Sequence, residues 1–143
     1  MVHRPMSNQA KAVATPRPLS PHLQVYRWPV TMATSIIHRT TGLALVAGTL
    51  MVTWWLLATA MGPVQYDTFS RAARSLIGQL VLFGFVWSLA FHLFNGIRHL
   101  VWDLGFGFAV PTANRTGVLV IILSLLAATG AFAYAYAAKG MHL

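Results

Sequence analysis

The sequence predicts an all-α membrane protein with three transmembrane helices, and its composition, charge spacing and segment lengths support this together. Of its 143 residues, 57% are hydrophobic and 8% are charged, with a mean hydropathy of +0.63. In an ordinary soluble domain about a quarter of the residues are charged. Three windows contain no Asp, Glu, Lys or Arg, namely residues 40–66, 75–97 and 116–138. Each window can cross a bilayer, since about 20 apolar helical residues cover a hydrocarbon core of about 30 Å.

The three spans should be helices because backbone amides in lipid must bond within their own segment. We expect these helices over about residues 32–61, 72–104 and 115–138, forming one membrane anchor across residues 32–143. Residues 62–74 and 103–115 should be short connections, because they carry Gly, Pro and Asn that interrupt helices.

Residues 1–31 should form a basic N-terminal arm, with four Lys or Arg, no acid and five prolines. The arm has no apolar stretch, so we expect the first span to direct membrane insertion. Its prolines would break the amphipathic helix of a mitochondrial transit peptide. We therefore favour the bacterial cytoplasmic membrane over the mitochondrial inner membrane.

The basic residues also predict an orientation. Seven Lys or Arg precede the first span or flank the second connection, whereas three lie at the other ends. The positive-inside rule places the N-terminus and the second connection on the cytoplasmic or matrix side, and the C-terminus on the other.

Several function classes are excluded or disfavoured by the sequence. The formal charge is +8, but long uncharged blocks separate the basic residues, so we expect no nucleic-acid partner. The absence of cysteine excludes disulfides, zinc thiolates and cysteine-ligated iron–sulfur clusters. No carboxylate pair or nucleophile constellation is present, so the chain should have no catalytic residues of its own.

Two polar stripes should lie in the inner leaflet. Both repeat the i, i+3, i+4, i+7 spacing that puts side chains on one helix face. They are Ser35, His38, Arg39 and Gly42 at the start of span one, and His92, Asn95, Gly96 and His99 at the end of span two. Ionisable groups within a span usually face a bundle interior, a partner or a cofactor, so a polar or anionic ligand is expected between the stripes.

His92 is the candidate metal ligand because its imidazole lies deepest among apolar neighbours. One ring nitrogen would bind haem iron while a backbone carbonyl one turn back holds the other. An interhelical hydrogen bond is the simpler role. His92 and His99 lie about 10.5 Å apart along one helix side and cannot clamp one haem. A second axial histidine would come from His38 or from a partner subunit.

Basic and hydroxyl groups nearby suggest two further contacts. Arg39, His38 and Arg98 could neutralise haem propionates, although Arg39 alone could be a snorkelling anchor. Ser35 and Arg39 could donate to a quinone carbonyl, although Ser35 could equally bond its own helix. Asp103 is expected to be a solvated acid, with pairing to Arg98 as the alternative.

Three segments resemble the cytochrome b subunit family of succinate dehydrogenase, the larger membrane anchor of respiratory complex II. They read RPLSPH at residues 17–22, SIIHRTTG at residues 35–42 and HLFNGIRHLVWD at residues 92–103. The resemblance covers about residues 17–105. It implies a complex in which a flavoprotein subunit oxidises succinate, an iron–sulfur subunit relays electrons, and two anchors hold haem b and ubiquinone.

By position, His92 resembles the axial haem ligand of this family, with the other axial histidine supplied by the second anchor subunit. Ser35 and Arg39 resemble the ubiquinone contacts, and His38 and Arg39 the residues near the haem propionates. Arg98 and His99 match motif positions without an individual role. Two alternatives remain: a fumarate reductase anchor that uses menaquinone, and a haem-free scaffold or small transporter subunit.

Overall fold

The computed structural model describes residues 27–139, which fold into four α-helices joined by short breaks. The helices are α1 (Val30–Met61), α2 (Pro63–Arg74), α3 (Leu76–Asp103) and α4 (Val110–Lys139). Helices α1, α3 and α4 are long and apolar enough to cross a membrane, which confirms the predicted three-span, all-α architecture. Most of the predicted basic arm lies outside the described residues.

The predicted connection at residues 62–74 is itself largely helical, because α2 occupies it. Gly62 ends α1 with φ of 107°, and Pro63 then starts α2, where its fixed φ suits the first helical turn. The two residues that interrupt one helix therefore also begin the next. Ser75 separates α2 from α3 and caps α3, since its Oγ accepts from the Gly78 amide at 3.1 Å.

Helix α2 is amphipathic. Its Phe69 ring meets Trp54 of α1 edge to face, with centroids 5.0 Å apart. Its exposed side carries an ion pair in which Arg71 Nη2 lies 3.3 Å from Asp67 Oδ2. A short helix with one apolar and one charged side, placed between two spans, is typical of a membrane interface.

The third span begins at Val110, five residues before the expected start at 115. Pro111 lies in its first turn, where an amide proton would have no intrahelical partner, so the proline does not delay the helix. Gly105 and Gly107 have φ of 89° and 83° and turn the chain between α3 and α4. The connection is therefore shorter than the sequence suggested.

Helix α3 packs against α1 and α4, which also touch each other. Gly48 of α1 lies against the Phe85 ring of α3, where a Cβ would collide with the ring, so the glycine permits this close approach. The Trp87 indole donates to Ser124 Oγ at 3.2 Å, and Tyr136 donates to Gln79 at 3.0 Å. Most large apolar side chains face outward, where lipid or another subunit would cover them.

Candidate functional site

Three histidines meet at the end of the bundle where α1 begins and α3 ends. The His38 ring of α1 stacks on the His92 ring of α3, with centroids 4.0 Å apart and an interplanar angle of 12°. The centroid of His38 also lies 5.3 Å from that of His99. We call His38, His92 and His99 the histidine column, in which His38 lies between the two histidines of α3.

The imidazole of His92 is held across the helix interface by a hydroxyl. Thr41 Oγ1 of α1 lies 3.4 Å from His92 Nδ1. The expectation that a carbonyl one turn back holds this nitrogen is wrong, because the nitrogen contacts the Thr41 hydroxyl of α1 instead. Within residues 27–139, Nε2 of His92 has no hydrogen-bond partner, so this nitrogen is free to bind a ligand.

Arg98 is buried and connects the three spans. Its guanidinium donates to Thr34 Oγ1 of α1 at 3.2 Å, and to Thr116 Oγ1 and the Ala113 carbonyl of α4 at 3.1 and 2.8 Å. It also donates to Asn95 Oδ1 at 3.1 Å. Four of its five N–H groups are thus used within the chain.

The surroundings of Arg98 contain no acid. Its guanidinium carbon lies 4.1 Å from the centroid of the Trp102 ring, a cation–π contact. Asp103 is exposed at the end of α3, as expected, and forms no ion pair with Arg98. Uncharged oxygens and one aromatic face therefore compensate this buried charge.

Asn95 links Arg98 to the histidine column. Its Oδ1 accepts from Arg98, so its Nδ2 is the group that faces His99 Nε2 at 3.2 Å. Nε2 of His99 must then accept, which places the proton of a neutral His99 ring on Nδ1. Trp102 packs edge-on against His99, with centroids 5.1 Å apart.

The four residues of the stripe predicted on α1 lie in two different environments. His38 and Gly42 face α3, and a Cβ on Gly42 would lie 3.3 Å from His92 Cε1. Ser35 and Arg39 are exposed, and Arg39 Nε donates to the Ser35 carbonyl at a long 3.4 Å. The exposed pair faces lipid or a partner and is accessible to a ligand that diffuses in the bilayer.

Sequence reasoning missed two buried threonines of this site, Thr34 and Thr41. Together with His38 they follow an i, i+4, i+7 spacing, which marks a second polar face of α1. That face, displaced from the predicted stripe, is the one that meets α3 and Arg98. The spacing could have revealed it.

Among the described residues, no group of three or more His, Cys, Asp or Glu side chains is arranged to hold a metal ion. The histidine column is instead a contact between rings, with one outward-facing coordinating nitrogen on His92. Such a site can supply one ligand to a group that another chain completes. The fold and site thus define a three-span helical membrane protein with a cluster of histidines at one end.

Comparison with known proteins specifies that class. The model of the succinate dehydrogenase/fumarate reductase transmembrane subunit family matches residues 14–131. The succinate dehydrogenase cytochrome b556 subunit of Paracoccus denitrificans is 44% identical over 112 residues, covering 78% of this chain and 86% of that protein. The mitochondrial cytochrome b560 subunit of Sus scrofa is 42% identical over 125 residues, covering 84% and 72%. The cytochrome b556 subunit of Rickettsia typhi is 37% identical over 122 residues, covering 85% and 94%.

The chain belongs to the succinate dehydrogenase/fumarate reductase transmembrane subunit family. This confirms the resemblance seen in the sequence. The chain is therefore a multi-pass inner-membrane anchor, a non-catalytic subunit of a larger enzyme complex.

Proposed function

We propose that this chain binds haem b through His92 and helps to form the ubiquinone-reduction site of a succinate dehydrogenase. The observation that carries the proposal is the hydrogen bonding of the two nitrogens of the His92 ring. Nδ1 faces the Thr41 hydroxyl and Nε2 has no partner among residues 27–139. An imidazole held at one nitrogen and free at the other is the usual arrangement of a protein ligand to iron.

Two further observations support haem as the ligand. A Cβ on Gly96, one helical turn after His92, would meet no atom within 4 Å, so a flat ring would have room beside the imidazole. His38 Nδ1 is buried without a hydrogen-bond partner in the described chain. A buried polar atom of this kind needs a partner, which a carboxylate of the cofactor would provide.

A histidine of the second anchor subunit would supply the other ligand to the haem iron. His38 stacks face to face on His92 and so cannot lie across an iron atom from it. His99 lies on the same side of α3 as His92, since both contact His38. When bound, the haem would supply one-electron redox chemistry. The iron–sulfur and flavoprotein subunits complete the proposed complex.

His38 and Arg39 are the proposed contacts to the haem propionates. Arg39 is exposed and makes a single long hydrogen bond, so its guanidinium is available to a carboxylate. His99 lies in the same histidine column, and its Nδ1 could also donate to a haem propionate. Arg98 matches the family motif, but four of its N–H groups are engaged in the chain, which favours a structural role.

Ser35 and Arg39 are the proposed quinone contacts. Both are exposed on α1 one turn apart, and both carry hydrogen-bond donors. Donors aimed at a carbonyl oxygen stabilise the negative charge that develops there on reduction. Because Ser35 and Arg39 lie beside the histidine column, the proposed quinone and haem sites share one end of the bundle.

The first test is His92→Leu in the whole complex, with His142→Leu, which follows the last span in sequence, as the matched control. We expect His92→Leu to lose haem, measured as the reduced-minus-oxidised spectrum per flavin of the purified complex. The control should keep the full spectrum. An unchanged haem content in His92→Leu would refute the proposed ligand and favour the haem-free scaffold.

A fumarate reductase anchor remains the related candidate function, since the family model covers both enzymes. The relatives compared above are named as succinate dehydrogenase subunits, which supports the direction proposed here. Purified complex should reduce ubiquinone with succinate faster than it oxidises menaquinol with fumarate. The reverse ratio would favour the fumarate reductase.

A further inference from the structure

Thr41 lies between the two helices that carry the histidine column. Its side chain is buried, with 3% of the residue exposed. Its hydroxyl donates to the carbonyl of His38, three residues back, at 2.9 Å. The same oxygen lies 3.4 Å from His92 Nδ1 on the neighbouring helix. One hydroxyl oxygen therefore contacts both the backbone of His38 and the ring of His92.

The direction in which this hydroxyl donates its proton bears on which nitrogen of the His92 ring is protonated. A threonine hydroxyl has a single hydrogen, and here the His38 carbonyl accepts it. With its proton on the His38 carbonyl, the oxygen faces His92 as an acceptor, which favours the proton on Nδ1 of His92. In a neutral imidazole the lone pair is then on Nε2.

The same contacts also fix the orientation of the ring. The His38 ring covers one face of His92 at 4.0 Å. Gly42 lies beside its edge, where a Cβ would come within 3.3 Å of Cε1 and 3.8 Å of Nδ1. With one face, one edge and Nδ1 all occupied, the ring directs Nε2 away from the α1–α3 interface.

We propose that Thr41 is a positioning residue that holds His92 as the Nδ1-protonated tautomer and presents Nε2 to iron. The inference rests on the proposed function, because it assumes that His92 is the axial ligand. Groups that bond the second nitrogen of a metal-bound histidine typically change metal affinity by about 10- to 100-fold when removed. Loss of the hydroxyl weakens the iron–His92 bond without removing the ligand.

The adjacent threonine provides a matched control. Thr40 is exposed, and its hydroxyl donates to the Ile36 carbonyl at 3.0 Å without contacting a histidine. Thr40→Val and Thr41→Val make the same chemical change one position apart. Thr41→Ser retains the hydroxyl and should rescue the effect.

The experiment compares these variants in the purified complex. Carbon monoxide binding to the reduced haem reports a weakened axial ligand, and haem per flavin reports retention. In Thr41→Val we expect carbon monoxide affinity to rise about 10-fold or more, with a shifted low-spin EPR spectrum. Thr41→Ser and Thr40→Val should behave as the unmodified protein.

Two results would overturn the proposal. The first is a Thr41→Val complex with unchanged haem content, carbon monoxide affinity and EPR spectrum. The second is failure of both Thr41→Val and Thr41→Ala to assemble, because the hydroxyl would then be needed for packing. The His92→Leu variant keeps the two proposals separate. If His92→Leu loses haem while Thr41→Val changes nothing, only the positioning role of Thr41 is refuted.

Discussion

At the scale of single residues, the ring of His92 contacts the hydroxyl of Thr41, a side chain 51 positions away in sequence. The spacing of the two stripes predicted that His92 and His38 lie in one site, and the structure stacks their rings. The Thr41 contact could not be predicted, because it depends on how α1 rotates against α3. The same rotation leaves Ser35 and Arg39 exposed although they share a stripe with His38.

The exposure of Arg39 leads to a prediction about quinone reduction. Arg39→Ala should lower succinate:ubiquinone turnover by about 100-fold, the usual cost of removing one donor to a developing oxyanion. Turnover should fall more than haem content or subunit ratio, because Arg39 makes only one long hydrogen bond within the chain and His38 remains as a propionate contact. Steady-state kinetics with a soluble ubiquinone would measure the effect.

Arg115→Ala is the matched control for that experiment. Arg115 is also exposed, near the start of α4, but no part of the histidine column contacts it. The control should retain turnover. Equal losses in the two variants would indicate a general effect of surface charge and count against a quinone contact at Arg39.

At the scale of helices, Arg98 connects the three spans, and Gly48 permits the close approach of α1 and α3. The order and approximate extent of the three spans could be predicted because charge-free windows mark them. Helix α2 could not be predicted, since Gly62 and Pro63 are typical of a loop when only the sequence is considered. The role of Arg98 in connecting the spans could not be predicted either, because its acceptors Thr34 and Thr116 lie 64 and 18 residues away in sequence.

Removal of Arg98 should loosen the bundle more than it alters the haem. Arg98→Leu leaves Asn95 Oδ1 without a donor and removes one donor to the Ala113 carbonyl. Unmade buried hydrogen bonds cost about 1–3 kcal/mol each, so we expect a loss of about 2–4 kcal/mol in stability. Thermal release of the anchor from the purified complex would measure it.

Arg98→Lys separates the structural role from a cofactor role. Lysine keeps the charge but cannot make the four divergent hydrogen bonds of the guanidinium. We expect reduced thermal stability with an unchanged haem midpoint potential. A shifted potential in an equally stable complex would instead support the propionate contact suggested by the family motif.

At the scale of the whole molecule, the fold places the candidate site residues at one end of the bundle. The histidine column, Arg98 and the exposed pair Ser35 and Arg39 lie where α1 begins and α3 ends, whereas α2 lies at the opposite end. Under the proposed function this asymmetry matters, because electrons from a peripheral subunit would reach only the end that faces it. The distribution of Lys and Arg predicts that the end carrying the histidine column faces the cytoplasmic or matrix side.

That orientation can be tested cleanly because the chain contains no cysteine. Single cysteines at exposed Gln65 in α2 and exposed Ala109, just before α4, lie on opposite sides of the bundle. In sealed right-side-out vesicles a membrane-impermeant maleimide should label Gln65→Cys and leave Ala109→Cys unlabelled, and in inside-out vesicles the pattern should reverse. Labelling of Ala109→Cys from outside would invert the topology and place the histidine column on the wrong side to receive electrons from succinate.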